Sequence, residues 1–252
     1  MCIKLNAQTS LVHFNVSEAY KNVEPKNLDI YLLIGQSNMA GRATIESQDL
    51  DTLNNVFLYK GINGNVWEKA ANPLNKYSSI RKALSMQKLN PGYTFAHEMA
   101  QSSDKQIGLV VNAKGGTSID QWAPGSEFYK EAVECSKSAI KFGSLKGILW
   151  HQGETDASRY QSYMPKLLDL IRALRKDFGM PDLPFIAGQL SSDKPHREGF
   201  NDMILELPAK IKNTAVIKTN RTSTIDSTHF DAASQRLLGK RYAKEMLKLQ
   251  SK

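Results

Sequence analysis

Cysteine is nearly absent, with only Cys2 and Cys135 in a chain of 252 residues. Two thiols make no disulfide framework, no Cys-x-x-Cys pair or Cys/His cluster offers a structural zinc site, and no cofactor is expected. No apolar run has the length that crosses a bilayer, so no membrane span is expected. The first ten residues lack a basic start followed by an apolar stretch of roughly 7–15 residues, the mark of a signal peptide. The string Leu5-Asn6-Ala7-Gln8 does resemble the small-residue end of a leader. The chain therefore reads as cytoplasmic, or as secreted or periplasmic if a leader has been removed ahead of it, and the sequons at Asn15 and Asn220 favour neither.

Hydrophobic residues make up 41% and charged residues 23%, which suits a folded globular chain and excludes a disordered one. The formal charge of +8 raises nucleic acid as a partner, but the Lys and Arg residues are scattered. Arg172, Arg175 and Lys176, and likewise Lys240, Arg241 and Lys244, recur at helical spacing. Solvated helix faces account for that spacing, so no nucleic-acid partner is expected. Repeats, low-complexity tracts and linkers are also missing. The reading is one domain over 1–252 with an N-terminal extension over 1–27, and nothing in the sequence sets an oligomeric state.

What is present is alternation. Apolar runs of strand length at 29–34, 56–59, 107–112, 147–151, 184–189 and 215–218 alternate with amphipathic stretches at 93–102, 127–141, 158–178, 197–211 and 232–250. Strands apolar almost throughout, separated by helices, predict an α/β fold: a parallel sheet covered by helices on both faces. In such a sheet a ligand sits outside the carboxyl ends of the strands. The segments that follow those ends are polar and glycine-rich: GQSNMAGR at 35–42, KGGTS at 114–118 and QGETD at 152–156. Near the end of the chain lies DSTHF at 226–230.

A serine hydroxyl attacks a carbonyl only when a base takes its proton, and the base needs a partner that fixes its tautomer. Ser37 lies on a strand-to-helix turn, and Asp226 stands three residues before His229, within reach of Nδ1 in a turn. Taken alone, such a serine is usually a helix cap and such an Asp-x-x-His a cap or a surface pair; the joint occurrence of Ser37, Asp226 and His229 points to nucleophile, base and orienter. Acyl transfer also needs donors for an oxyanion, which Gly115-Gly116 and Gln152 offer, although two glycines also suit an ordinary turn. His151, on an apolar strand, reads as a core histidine. Trp122 either stacks on a sugar face or packs its loop onto the body.

The four strings GQSNMAGR, GGTSI (115–119), WHQGETD (150–156) and DSTHF, in this order from residue 35 to residue 230, resemble the blocks of carbohydrate esterase family 6. This is the sialate O-acetylesterase and acetylxylan esterase group of the SGNH-hydrolase superfamily. The resemblance implies a flavodoxin-like three-layer α/β/α sandwich, no metal, and hydrolysis of acetyl esters on an acetylated carbohydrate, with acetylxylan favoured by the short chain and sialate as the other option. Carried over by residue, Ser37 is the nucleophile and His229 the base. The oxyanion hole is the Ser37 N–H, an N–H of Gly115-Gly116 and the Gln152 side chain, which stands where the wider superfamily has asparagine. Asp226 is preferred as the orienting acid by its local spacing, with Glu154 as the alternative that the family's HQGE block offers. Gln36, Asn38, Arg42, Trp122 and Gln189 are expected beside the substrate.

Two other readings stand beside this one. The same fold serves esterases and thioesterases acting on lipid or small-molecule esters, which a chain-length series separates from an acetylesterase. A glycan-binding protein with a dead site would bind without turnover, and the intact Ser37, Asp226 and His229 speak against it.

Overall fold

A computed structural model describes residues 25–61 and 66–251. The extension expected over 1–27, with Cys2, Asn15 and the leader-like string, lies almost wholly outside them.

Seven strands follow along the described chain: β1 (Leu28–Gly35), β2 (Val56–Tyr59), β3 (Trp67–Lys69), β4 (Ile107–Ala113), β5 (Gly143–His151), β6 (Phe185–Gly188) and β7 (Thr214–Ile217). The helices of the three layers are α1 (Ser37–Ala40), α2 (Pro91–Gln101), α3 (Glu127–Ala139), α4 (Tyr163–Phe178), α5 (Glu198–Leu205), α6 (Leu207–Lys210) and α7 (Ala232–Gln250). Among the described residues no helix is long and apolar enough to cross a membrane.

The sequence of β1, LDIYLLIG, has almost no polar face because both of its faces are covered. Along it Leu28, Ile30, Leu32 and Ile34 point into one core, while Tyr31 and Leu33 point into the other. The first core takes apolar residues of α3, α4, α5 and α6. The second takes those of α1, α2 and α7. This is the three-layer arrangement that the alternation predicts.

The strand order is β3-β2-β4-β1-β5-β6-β7. Counted alone, β4-β1-β5-β6-β7 have the flavodoxin order 2-1-3-4-5, in which the chain reverses direction across the sheet at β1. β2 is also parallel, but β3 runs antiparallel to it at the edge. The sequence gives no sign of β3, which is three residues long and shows one buried apolar residue, Trp67.

Three helix limits differ from the sequence reading, each for a backbone reason. α2 begins at Pro91 instead of residue 93, because proline fits the first turn and Asn90 caps it by accepting the Gly92 N–H at 2.9 Å. The stretch expected as helix from 158 is a kinked 3₁₀ segment, with Arg159 at φ −133° and ψ 39°, and α4 starts only at Tyr163. The helix expected over 197–211 is divided into α5 and α6, with Pro208 in the first turn of α6, where its missing N–H does no harm.

His151 closes β5 fully buried, edge-on to Phe230 and Tyr242. The Tyr242 hydroxyl donates to the Trp150 carbonyl at 2.9 Å, so its oxygen accepts from His151 Nδ1–H at 3.0 Å. Nε2 then has no partner among the described residues, as expected of a core histidine held neutral. Burial lowers its pKa from 6.5 to about 4. Across that interval the unfolded chain binds a proton that the folded chain refuses. The stabilisation is therefore complete above pH 6.5 and is lost as pH falls toward 4, by on the order of 3 kcal/mol. Urea unfolding of the wild type and of His151→Leu at neutral and acid pH should show a shallower pH slope for the variant. Equal slopes would place the acid sensitivity in another group.

Candidate active site

The turn after β1 is shaped by close approach. Gly35 has φ +141°, and a Cβ there would lie 2.2 Å from the His151 carbonyl oxygen. That oxygen accepts the Gln36 N–H at 2.9 Å, and Ser37 follows as the first residue of α1. The turn after β4 lies against it: a Cβ on Gly115 would lie 3.3 Å from Ser37 Cβ and 2.6 Å from Arg42 Nη2. A β-carbon there would crowd the serine and push the Arg42 guanidinium aside, and glycine avoids both.

The third component is the loop before α7. Asp226 Oδ1 accepts the N–H groups of Thr228 and His229 at 3.0 and 2.7 Å, while Oδ2 accepts His229 Nδ1–H at 2.6 Å. One carboxylate thus folds the loop and fixes the imidazole tautomer, leaving Nε2 as the nitrogen free to take a proton. Desolvation pushes the Asp226 carboxyl up. The hydrogen bonds from His229 and Thr228 outweigh it and hold the carboxyl below its usual value. Glu154 makes no hydrogen bond to His229. Its Oε1 accepts from Asn38 Nδ2 at 2.5 Å, and burial pushes its carboxyl up despite Asn38, Arg197 and His229.

These segments enclose a cavity of about 380 Å³ at the carboxyl ends of β1, β4 and β5. Gln36, Ser37, Arg42, Gly115, Gly116, Glu154 and His229 line it. Four residues expected at the site have different surroundings. Gln152 is buried, and its NH₂ donates to Thr117 O at 2.8 Å, Asp156 Oδ2 at 2.6 Å and Gln36 Oε1 at 3.2 Å. Both amide hydrogens of Gln152, expected as an oxyanion donor, are engaged within the protein, where they brace the surrounding turns. Trp122 is fully buried, with its Nε1–H donating to Thr117 Oγ1 at 3.0 Å and its ring edge-on to Trp150. It packs its loop and has no face for a sugar. Gln189 donates to Asn201 O and accepts the Thr219 N–H, tying β6 to its neighbours. Asn38 is 1% exposed, with both ends of its amide engaged inside.

Sequence reasoning missed Arg197. Its guanidinium is buried and donates from Nη1 to Ser227 O at 3.0 Å and to Ser191 Oγ, and from Nη2 to Thr228 Oγ1 at 3.0 Å. It clamps the loop that carries His229 at Ser227, a non-glycine residue with φ +59°. Lys82, Lys194 and His196 also line the cavity. The segment 189–197 follows β6 and is polar, so the rule that marked the other loops could have marked this one.

A hydroxyl, an imidazole with a carboxylate on its far nitrogen, and a glycine turn around one cavity are the kinds of group that acyl transfer uses.

The family model described as carbohydrate esterase, sialic acid-specific acetylesterase, matches residues 27–248. A probable carbohydrate esterase of Arabidopsis thaliana is 30% identical over 235 residues, covering 83% of this chain and 86% of that protein. The X-ray structure of an Arabidopsis thaliana protein has a TM-score of 0.80 at 28% identity, covering 89% of this chain and 99% of that one. A carbohydrate acetylesterase of Xanthomonas citri has a TM-score of 0.65 at 20% identity over 88% of this chain and 56% of that longer one, a likeness of fold alone. By the extent of the family match and by the Arabidopsis relative, this chain belongs to the carbohydrate esterase, sialic acid-specific acetylesterase family and is an esterase.

Proposed function

We propose that the protein hydrolyses O-acetyl esters on glycans through an acetyl-enzyme on Ser37, with His229 as base and Asp226 as its orienting acid. The observation that carries this is the enclosure of Ser37, His229 and the Gly115-Gly116 turn in one cavity, with Asp226 2.6 Å from the far nitrogen of the imidazole. The four sequence blocks support placement in carbohydrate esterase family 6.

In the first step His229 Nε2 takes the Ser37 proton as Oγ bonds to the acetyl carbon. The oxyanion is met by the N–H groups of Ser37 and of the glycine turn. Collapse breaks the bond to the sugar oxygen, and His229 returns the proton to it. Water then attacks the acetyl-enzyme, giving its proton to His229, and acetate leaves as Oγ regains that proton. Asp226 stays ionised and stabilises the imidazolium. Gln152 holds the Gln36 and Thr117 segments in place, and Glu154 holds Asn38.

The cavity is small and most of the residues that line it are polar or glycine, which suits a two-carbon acyl group better than a long chain. Acetate release from acetylated xylan, 9-O-acetyl sialic acid and p-nitrophenyl esters of rising chain length should be fastest at acetyl and vanish in Ser37→Ala. A folded Ser37→Ala protein that still turns over would end the proposal, and a folded wild type that binds these glycans without releasing acetate would favour the binding-protein reading. Asp226→Asn should lower kcat by about 10³–10⁴-fold. Glu154→Gln should cost much less, and the opposite ranking would transfer the orienting role to Glu154.

A further inference from the structure

Arg42 ends the string GQSNMAGR and lines the cavity, without a part in the acetyl transfer between Ser37 and His229. Both hydrogens of its Nη1 are used, donating to the carbonyls of Gly41 at 2.6 Å and Met86 at 2.9 Å. Nη2 and Nε have no acceptor among the described residues, and neither is shut away from solvent. The guanidinium is therefore fixed through one nitrogen while another stays free to donate. It is half-buried, so water screens its charge less than that of an exposed side chain.

The free nitrogen has a definite place. The point where a Gly115 Cβ would stand is 2.6 Å from Nη2 and 3.3 Å from Ser37 Cβ, so guanidinium and serine flank one turn of backbone. The Gly115 nitrogen is two bonds from that point, and its N–H has no acceptor among the described residues. One oxygen can thus lie about 3 Å from the Gly115 N–H and from Nη2 at once. Gln152, the side chain expected to donate there, has its amide hydrogens engaged with Thr117, Asp156 and Gln36. Lys82 is the other cation on this turn, with Nζ 3.5 Å from where a Gly116 Cβ would stand, but it is exposed and lacks the anchoring that Arg42 has.

We infer that Arg42 Nη2 donates to the oxyanion formed when Ser37 attacks the acetyl carbonyl, beside the N–H groups of Ser37 and the glycine turn. This rests on the acetylesterase reading and adds a catalytic residue to it. The guanidinium gives up no proton: its charge-assisted hydrogen bond strengthens as negative charge moves onto the carbonyl oxygen. Anchored through Nη1, it needs little reorganisation when that happens.

The test uses p-nitrophenyl acetate, which carries no sugar and so separates a donor to the acetyl carbonyl from a contact with the glycan. Arg42→Ala, with an unchanged circular dichroism spectrum, should lose about 10²–10³-fold in kcat on this ester and a similar factor on an acetylated glycan, with KM little altered. Arg42→Gln, whose amide can still donate to the Met86 carbonyl, should show the same loss and carries the comparison if Arg42→Ala misfolds. Methylboronic acid adds a readout that needs no turnover, because its adduct on Ser37 Oγ is a tetrahedral anion. Its inhibition constant, or the adduct followed by boron NMR, should weaken in the Arg42 variants roughly in step with kcat.

A loss confined to the glycan, a loss in KM alone, or boronate binding that is unchanged in a slowed variant would overturn the inference and leave the esterase reading standing. A folded wild type that hydrolyses neither p-nitrophenyl acetate nor any acetylated glycan would end both.

Discussion

Asn38 donates from Nδ2 to Glu154 Oε1 and to the Thr228 carbonyl, and accepts at Oδ1 from the Phe230 N–H at 3.1 Å. One buried amide therefore connects the turn after β1, the loop after β5 and the loop that carries His229. These segments are far apart in sequence, with Asn38 and Thr228 separated by 190 positions. An amide can serve this purpose because it has two donors and an acceptor on a short, stiff side chain. Buried in low dielectric, each of its bonds is costly to break, so the loops keep one separation from Ser37.

Arg197 does the same for the other side of the His229 loop. A buried guanidinium is expensive unless its donors are met, and here Ser191, Ser227 and Thr228 accept from its two Nη groups, Nε has no partner among the described residues, and Glu154 supplies a nearby negative charge. Ser227 in the left-handed region has its carbonyl held by Arg197, and the two N–H groups that follow it end on Asp226. The imidazole thus occupies a loop with little freedom although the loop has no regular secondary structure. Catalytic groups on loops usually need such bracing, because a helix or strand does not provide it.

The alternation of apolar runs and amphipathic stretches was sufficient for the layered fold, since a strand buried on both faces has to be apolar on both. It was insufficient for β3, where a three-residue edge strand has no period, and for the limits of α2, α4 and α6, where caps, a kink and prolines decide. Asp226 and His229 were legible because their contact is local, three residues apart. Ser37 and the Gly115-Gly116 turn were legible as residues following strand ends.

By itself the sequence determined the fold class, the strand ends that carry the site, and the local pairing of Asp226 with His229, because each follows from short-range periodicity or spacing. Tertiary structure alone decided which polar side chains face the cavity and which brace it. Gln152, Trp122, Gln189 and Asn38 are turned into internal hydrogen bonds, whereas Arg197, Lys82 and Lys194 come to the cavity from segments with no motif. The physical reason is that a buried donor or acceptor takes whichever partner the packing of remote segments brings within about 3 Å. No pattern within one segment encodes that partner.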